Sequence, residues 1–335
     1  MRCVEGRLLG IGLAILFAAA ALPAATLSLV RQERYSMGTI FSISVFHSSG
    51  WEAKRAIDQA MAEIVRLDLV MSHFKETSEL SRLNREGSQG FVPVEPSLYD
   101  VIEQSIEFSR RSDGKFDVSI APLLHVWQEA REAGRPPSEE QLATASRCVG
   151  YGNIELSPPN RIRFHSDCLR LDLGGIGKGY AVDRALAVLQ KAGVRHAVVN
   201  AGGSTIAAIG APPGERGWPV QLVATLPGGR TLLLRDASIS TSEHSLTSFA
   251  FETGLFGEIM DPQQQGPSSR RGTVSVVTDD ATTADALSTT LLLMSHEEGR
   301  RMLEQFPNTS ALWISAARRL DAAYRASELT LAHHR

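Results

Sequence analysis

Leu171-Asp172-Leu173-Gly174-Gly175-Ile176-Gly177-Lys178-Gly179-Tyr180-Ala181-Val182-Asp183 is the stretch on which the reading of this chain turns. It reads as a short apolar strand, a glycine-rich turn and the start of a helix. Such a turn leaves backbone N–H groups pointing outward at a helix N-terminus, where a phosphate can sit. Farther along, Thr283-Ala284-Asp285-Ala286-Leu287-Ser288-Thr289 puts the Asp285 carboxylate and the Thr289 hydroxyl on one helix face. A carboxylate, a hydroxyl and free backbone carbonyls make a hard-oxygen set suited to Mg²⁺. Together the two segments imply a metal-assisted site for a pyrophosphate-containing ligand.

Two familiar phosphate loops are excluded. A Walker A loop needs Ser or Thr after its Gly-Lys, and Lys178 is followed by Gly179. The dinucleotide fingerprint begins well at Gly175-Ile176-Gly177, but Gly179 comes one position too early for G-x-G-x-x-G. Taken alone, the glycines equally fit a tight strand-to-helix connection. Asp285 and Thr289 alone equally fit a helix-start carboxylate and a back-bonded hydroxyl.

Working outward, Tyr35–His47 alternates as a strand. Trp51–Ser72 carries Ile57, Met61, Ile64, Leu67 and Met71 at helical spacing. Thr77 or Ser78 caps a short helix through Leu83, and Leu98–Arg111 is a further helix closed by Asp113-Gly114. Ser138 to Ser146 is helical, Asn153–Leu156 and Arg161–His165 form a hairpin, and Leu169–Leu173 and His196–Asn200 are strands. Val220–Ala224 pairs with Thr231–Leu234, and Ser248–Glu252 with Phe256–Met260. Val274–Val277 and Ala311–Ser315 are strands, and Thr282–Met294 and His296–Phe306 are helices. This order of helices, hairpins and isolated strands predicts an α+β fold: mixed, largely antiparallel sheets with flanking helices.

The 335 residues are 43% hydrophobic and 21% charged, as in soluble globular chains. A formal net charge of −3, with no basic block, argues against nucleic-acid binding. Residues 1–25 read as an export signal, with Arg2 and Arg7 before the uncharged run Leu8–Leu22 and small residues at Ala24-Ala25. An uncleaved anchor is the alternative. Residues 26–315 form the folded unit, and 316–335 read as a loose polar tail. Cys148 and Cys168 either pair, as an oxidising compartment permits, or remain separate thiols.

Several segments appear in a familiar order: Met37-Gly38-Thr39; Met71-Ser72-His73-Phe74; Ser78-Glu79-Leu80-Ser81-Arg82-Leu83-Asn84; and Gly114-Lys115-Phe116-Asp117. Ala121-Pro122-Leu123 with Trp127, Asp172 to Asp183, Asn200-Ala201-Gly202-Gly203, Ser240-Thr241-Ser242, Asp261-Pro262 and Ala284 to Thr289 follow. In this set and order the chain resembles the ApbE family of FAD:protein FMN transferases, over about residues 35 to 315.

The resemblance implies a Mg²⁺ site at Asp285, Thr289 and the carbonyl of Gly175, with Thr290 a weaker alternative and Ser288 off the metal face. It implies FAD contacts at Asp172, Lys178 and Phe74. By resemblance more than by chemistry, Met37, Asn84, Lys115, Phe116, Asp117 and Ile259 join them. Ser240-Thr241-Ser242-Glu243 stands where the family has a turn. His73 and His125 have no partner motif and read as structural or surface residues. The family's usual His before its Asp-Pro is absent: the chain reads Glu258-Ile259-Met260-Asp261-Pro262. Glu258, with Asp285, is therefore the catalytic candidate, a base if burial raises its pKa.

The activity implied is Mg²⁺-dependent transfer of FMN from FAD to a Ser or Thr hydroxyl of an acceptor flavoprotein, releasing AMP. An FAD pyrophosphatase yielding FMN and AMP, or a non-catalytic FAD-binding protein, are the rival readings. The acceptor implied belongs to an electron-transfer system of the membrane or periplasm. The chain itself is expected in the periplasm or on the periplasmic face of the inner membrane.

Overall fold

The computed structural model describes residues 26–222, 231–244, 249–251, 254–257, 259–317, 319–325, 327 and 329. Residues 1–25, read as an export signal, and residues 223–230, read as containing a hairpin turn, lie outside the described residues. The chain opens with a hairpin, β1 (Ser28–Ser36) and β2 (Thr39–His47). Its turn is Met37-Gly38, both left-handed at φ 49° and 75°, the conformation that suits the twist of two paired strands. Helix α1 (Gly50–Met71) is capped by Ser49 and buries Ile57, Met61, Ile64 and Leu67, so the helical spacing read from the sequence is its core stripe. Next come α2 (Glu79–Glu86), β3 (Val92–Pro93), α3 (Pro96–Arg111), α4 (Ala121–Ala133) and α5 (Glu139–Ser146). Strands β4 (Ile154–Ser157) and β5 (Arg161–Phe164) form the expected hairpin, and β5 also pairs with β3.

The second half supplies α6 (Gly177–Lys191), β6 (Ala197–Ala201), β7 (Thr205–Ile209), β8 (Trp218–Gln221), β9 (Thr231–Leu234) and β10 (Ser238–His244). Two small hairpins follow, β11 (Phe249–Phe251) with β12 (Gly254–Phe256) and β13 (Met260–Asp261) with β14 (Gly266–Pro267). The chain ends with β15 (Gly272–Thr278), α7 (Ala281–Leu293), α8 (His296–Leu303), β16 (Ser310–Ile314) and β17 (Leu320–Tyr324).

One eight-stranded sheet, in the order β1-β2-β6-β7-β10-β15-β16-β17, organises the molecule, and every neighbouring pair in it is antiparallel. Strand β7 separates two cores by its alternation. Ala207 faces the large core with α1, α6 and α7, whereas Ile206 and Ala208 face Trp218, Val220, Leu232 and Leu234 of the β8–β9 hairpin. The α+β expectation holds.

Several local expectations do not. Leu169–Leu173 is not a ladder strand and makes one isolated parallel bridge, Arg170 to Ile120. The Asn84 side chain takes both backbone groups of Leu171, and the Asp172 N–H goes to the Val118 carbonyl, so this backbone is satisfied without a partner strand. Ser240-Thr241-Ser242 is not a turn but the middle of β10. Strands β1 and β7 and helix α4 are additions to the elements expected. Pro122 in the first turn of α4 and left-handed Gly134 at its end are the sequence signals that mark that helix. The tail is not loose throughout, since Leu320–Tyr324 pairs with β16 as an edge strand. Cys148 and Cys168 are joined in a disulfide.

Candidate active site

The glycine turn meets α7 because Gly179 has no side chain. A Cβ there would run into the Ala281 carbonyl and lie 2.7 Å from Asp285 Cβ. The first turn of α6 receives no side-chain cap from Ile176. Instead Gly179 N–H donates to Asp285 Oδ2 at 2.9 Å, a carboxylate from another helix answering an orphan donor. Asp285 Oδ1 accepts from Ser240 Oγ at 3.2 Å and Thr205 Oγ1 at 3.4 Å. Asp285 is thus a buried carboxylate, 3% exposed, held by one amide and two hydroxyls. The β7 and β10 residues that hold it lie where sequence reasoning found no strand.

Above Asp285 opens a cavity of about 840 Å³, at the upper end of the ~300–1,000 Å³ usual for cofactor-sized sites. Gly174, Gly175 and Lys178 form one wall, and Asp285 and Thr289 another. Thr289 sits against Gly175: a Cβ at Gly175 would lie 3.4 Å from Thr289 Cγ2 and 3.1 Å from Phe116 Cε2. Thr289 Oγ1 is 3.3 Å from Ser242 Oγ. Gly175, Asp285 and Thr289, the metal donors expected from the sequence, therefore line one cavity. Among the described residues no cluster of three His, Cys, Asp or Glu exists. One carboxylate among neutral oxygens fits Mg²⁺, which keeps several waters and phosphate oxygens, better than it fits a soft metal. Asp285 retains acceptor capacity for it, because two oxygens offer about four lone-pair directions. Thr290 does not contribute, since its hydroxyl bonds the Ala286 carbonyl and is fully buried. Ser288 is buried and bonds Ser242 and the Asp285 carbonyl.

The remaining candidates divide. Asp172, Lys178, Lys115, Phe116, Asp117, Phe74 and Ile259 all line the cavity. Asp172 Oδ1 accepts the Gly174 N–H at 2.6 Å, and Lys178 Nζ reaches the Gly174 carbonyl at 3.3 Å. Phe74 is 81% exposed at the mouth, with its ring against the His73 imidazole at 3.7 Å between centroids. Lys115 Nζ donates to Asp261 Oδ2 at 3.0 Å, so its charge is already engaged. Asp117 accepts from Ser119 N–H, Ser119 O–H and Tyr151 N–H, and burial pushes its carboxyl up. Asn84 and Met37 do not line the cavity. Asn84 clamps Leu171, and Met37 turns the first hairpin and packs near Gly177. Glu258 lies outside the described residues.

His73 is the residue that sequence reasoning undervalued. It lines the cavity with its Nδ1 3.0 Å from Asp172 Oδ2. No local spacing links positions so far apart; only the fold does. His125, by contrast, is a surface residue with Nε2 3.1 Å from Glu129, as expected.

A family model described as the ApbE family matches residues 37–313. A Treponema pallidum protein named FAD:protein FMN transferase is 24% identical over 307 residues, covering 86% of this chain and 84% of its own. The protein of the same name from Chlamydia trachomatis is 29% identical over 252 residues, covering 72% and 78%. The crystal structure of the ApbE protein from Thermotoga maritima matches at TM-score 0.76 and 26% identity, covering 89% of this chain and 97% of the other. Matched by the family model over most of its length and sharing the fold of a solved member, the chain belongs to the ApbE family.

Proposed function

We propose that this chain transfers FMN from FAD to a Ser or Thr hydroxyl of an acceptor flavoprotein and releases AMP. The observation that carries the reading is the convergence of the α6 glycine turn and the α7 oxygen donors on one cavity. The name FAD:protein FMN transferase, borne by relatives matched over most of their length, supports it. The α6 N-terminus and the Lys178 charge favour a pyrophosphate at Gly174–Lys178. Phe74 and Ile259 offer apolar surface to a flavin ring, and exposed Phe74 gains burial when one stacks on it. Asp285, Thr289 and the Gly175 carbonyl would hold Mg²⁺, which when bound neutralises the charge that phosphoryl transfer develops. The export signal read in residues 1–25 argues for the periplasm or the periplasmic face of the inner membrane. An electron-transfer flavoprotein of that compartment is the matching acceptor.

The test is a gel. The purified protein is incubated with FAD, Mg²⁺ and an apo-flavoprotein bearing one Thr acceptor, then denatured and imaged for flavin fluorescence. A fluorescent acceptor band with stoichiometric AMP is expected. Free FMN without the band would mean hydrolysis, and unchanged FAD would mean binding alone.

A further inference from the structure

We propose that His73 accepts the proton of the attacking acceptor hydroxyl, and that Asp172 is the positioning residue that keeps its Nε2 free to do so. The inference rests on the flavin-transfer reading above. It assigns the base within the described cavity, at a residue other than the one aligned with the family's missing His.

The geometry is specific. His73 Nδ1 lies 3.0 Å from Asp172 Oδ2, with side chains 32% and 12% exposed. A carboxylate at that distance favours the ring proton on Nδ1, which leaves Nε2 as an acceptor lone pair. Nε2 has no hydrogen-bond partner among the described residues; His73 lines the cavity and the outer groove, and the Phe74 ring lies against its imidazole. The other oxygen of Asp172 accepts the Gly174 N–H at 2.6 Å, inside the turn assigned to the pyrophosphate. One carboxylate therefore sets both the phosphate turn and the imidazole. That is the geometric requirement for a base that must meet a hydroxyl attacking a phosphorus held at the turn.

The step balances without another reagent. The acceptor oxygen forms a bond to the FMN phosphorus as its proton passes to His73 Nε2. The phosphorus–oxygen bond to the AMP moiety breaks, and AMP leaves with the electron pair. The imidazolium then returns its proton to solvent. The other ionisable groups lining the cavity are Lys115, Asp117, Lys178, Glu243 and Asp285. His125, Glu129, Glu140 and Arg170 line the outer groove that His73 shares. Asp172 is the one carboxylate placed against the ring among the described residues.

The experiment is the pH dependence of kcat for the full chain, with FAD, Mg²⁺ and an apo-flavoprotein bearing one Thr acceptor. Wild type, His73→Gln, Asp172→Asn and Glu258→Gln are compared, with the surface variant His125→Gln as control. His73→Gln is expected to lower kcat by roughly 10²–10⁴-fold and abolish the acidic limb, with KM for FAD nearly unchanged. Asp172→Asn is expected to lower kcat and, in ring-nitrogen NMR of His73, to replace the single Nδ1–H tautomer by a mixture. His73→Gln with wild-type kcat and profile would overturn the assignment, as would loss of the limb in Glu258→Gln alone. Absence of any covalent flavin with the wild-type enzyme would remove the transfer reading itself and this role with it.

Discussion

The backbone N–H of Gly179 donates to Oδ2 of Asp285 at 2.9 Å, so the helix that carries the glycine turn and the helix that carries the carboxylate are tied at one point. The tie exists only because position 179 lacks a Cβ. Gly179→Ala must push α6 and α7 apart, and overpacking of this kind costs about 1–3 kcal/mol. It also takes Asp285 and Thr289, which move together on α7, away from Gly175. A lower Tm together with weaker FAD binding in calorimetry is expected. If both stayed at wild-type values, the two helices would not be coupled as described.

Asp285 tests the metal assignment, and its surroundings decide which substitution is informative. The carboxylate answers Gly179 N–H, Ser240 and Thr205. Asp285→Ala therefore strands buried donors, at about 1–3 kcal/mol, and confounds folding with catalysis. Asp285→Asn keeps the shape and one acceptor oxygen. Its turnover should fall to the level seen without Mg²⁺, while its urea midpoint changes far less than that of the Ala variant. Normal Mg²⁺-dependent turnover of folded Asp285→Asn would place the metal elsewhere.

The periodic helices and the β4–β5 and β8–β9 hairpins were legible because apolar spacing and turn residues are local signals. So were the glycine turn and the Asp285–Thr289 face. The strand expected over Phe256–Met260 is split: Gly254–Phe256 pairs with β11 and Met260–Asp261 with β14. What holds Asp285, however, is Thr205 and Ser240, on strands β7 and β10 that only the fold brings beside α7. Leu169–Leu173 misled because apolar residues predict burial, not a ladder, and Asn84 supplies the missing hydrogen bonds. The His73–Asp172 pair joins segments that only folding brings together. Asn84, read as a ligand contact, belongs instead to the scaffold beneath Asp172.

Asp183 couples the start of α7 to pH. Its carboxylate accepts from Ala281 N–H, Thr282 N–H and the Thr282 hydroxyl, capping α7 from α6. Burial outweighs these donors and pushes the carboxyl up to about 6. The unfolded value is about 3.9. Between the two the folded state holds the extra proton, so this group's contribution to stability falls as pH rises from about 4 to about 6 and is level above. Glu63 runs the opposite way, since its hydrogen bond from Arg66 holds the carboxyl low and its contribution is lost as pH falls. The readout is therefore the difference between wild type and Asp183→Asn in urea midpoint at each pH. A difference that does not change across that window would refute the raised value.

Lys115 was expected to touch FAD, and the structure gives it a second duty. Its Nζ donates to Asp261 Oδ2 at 3.0 Å, and the Asp261 side chain is fully buried. The other described side-chain contact of Asp261 is Gln263 N–H. Lys115→Met removes the only cation facing a buried carboxylate among the described residues, which costs about 3–5 kcal/mol. Lys115→Met combined with Asp261→Asn removes the charge as well as its partner and should recover a good part of that loss. If Lys115 served FAD alone, Lys115→Met would keep the wild-type Tm and lose only affinity, and the double variant would be no more stable than the single. Thermal melts of the three proteins without ligand separate the two cases. The same melts repeated with FAD then read whatever affinity Lys115 adds from the cavity wall, because a ligand that binds the folded state raises Tm more the tighter it binds.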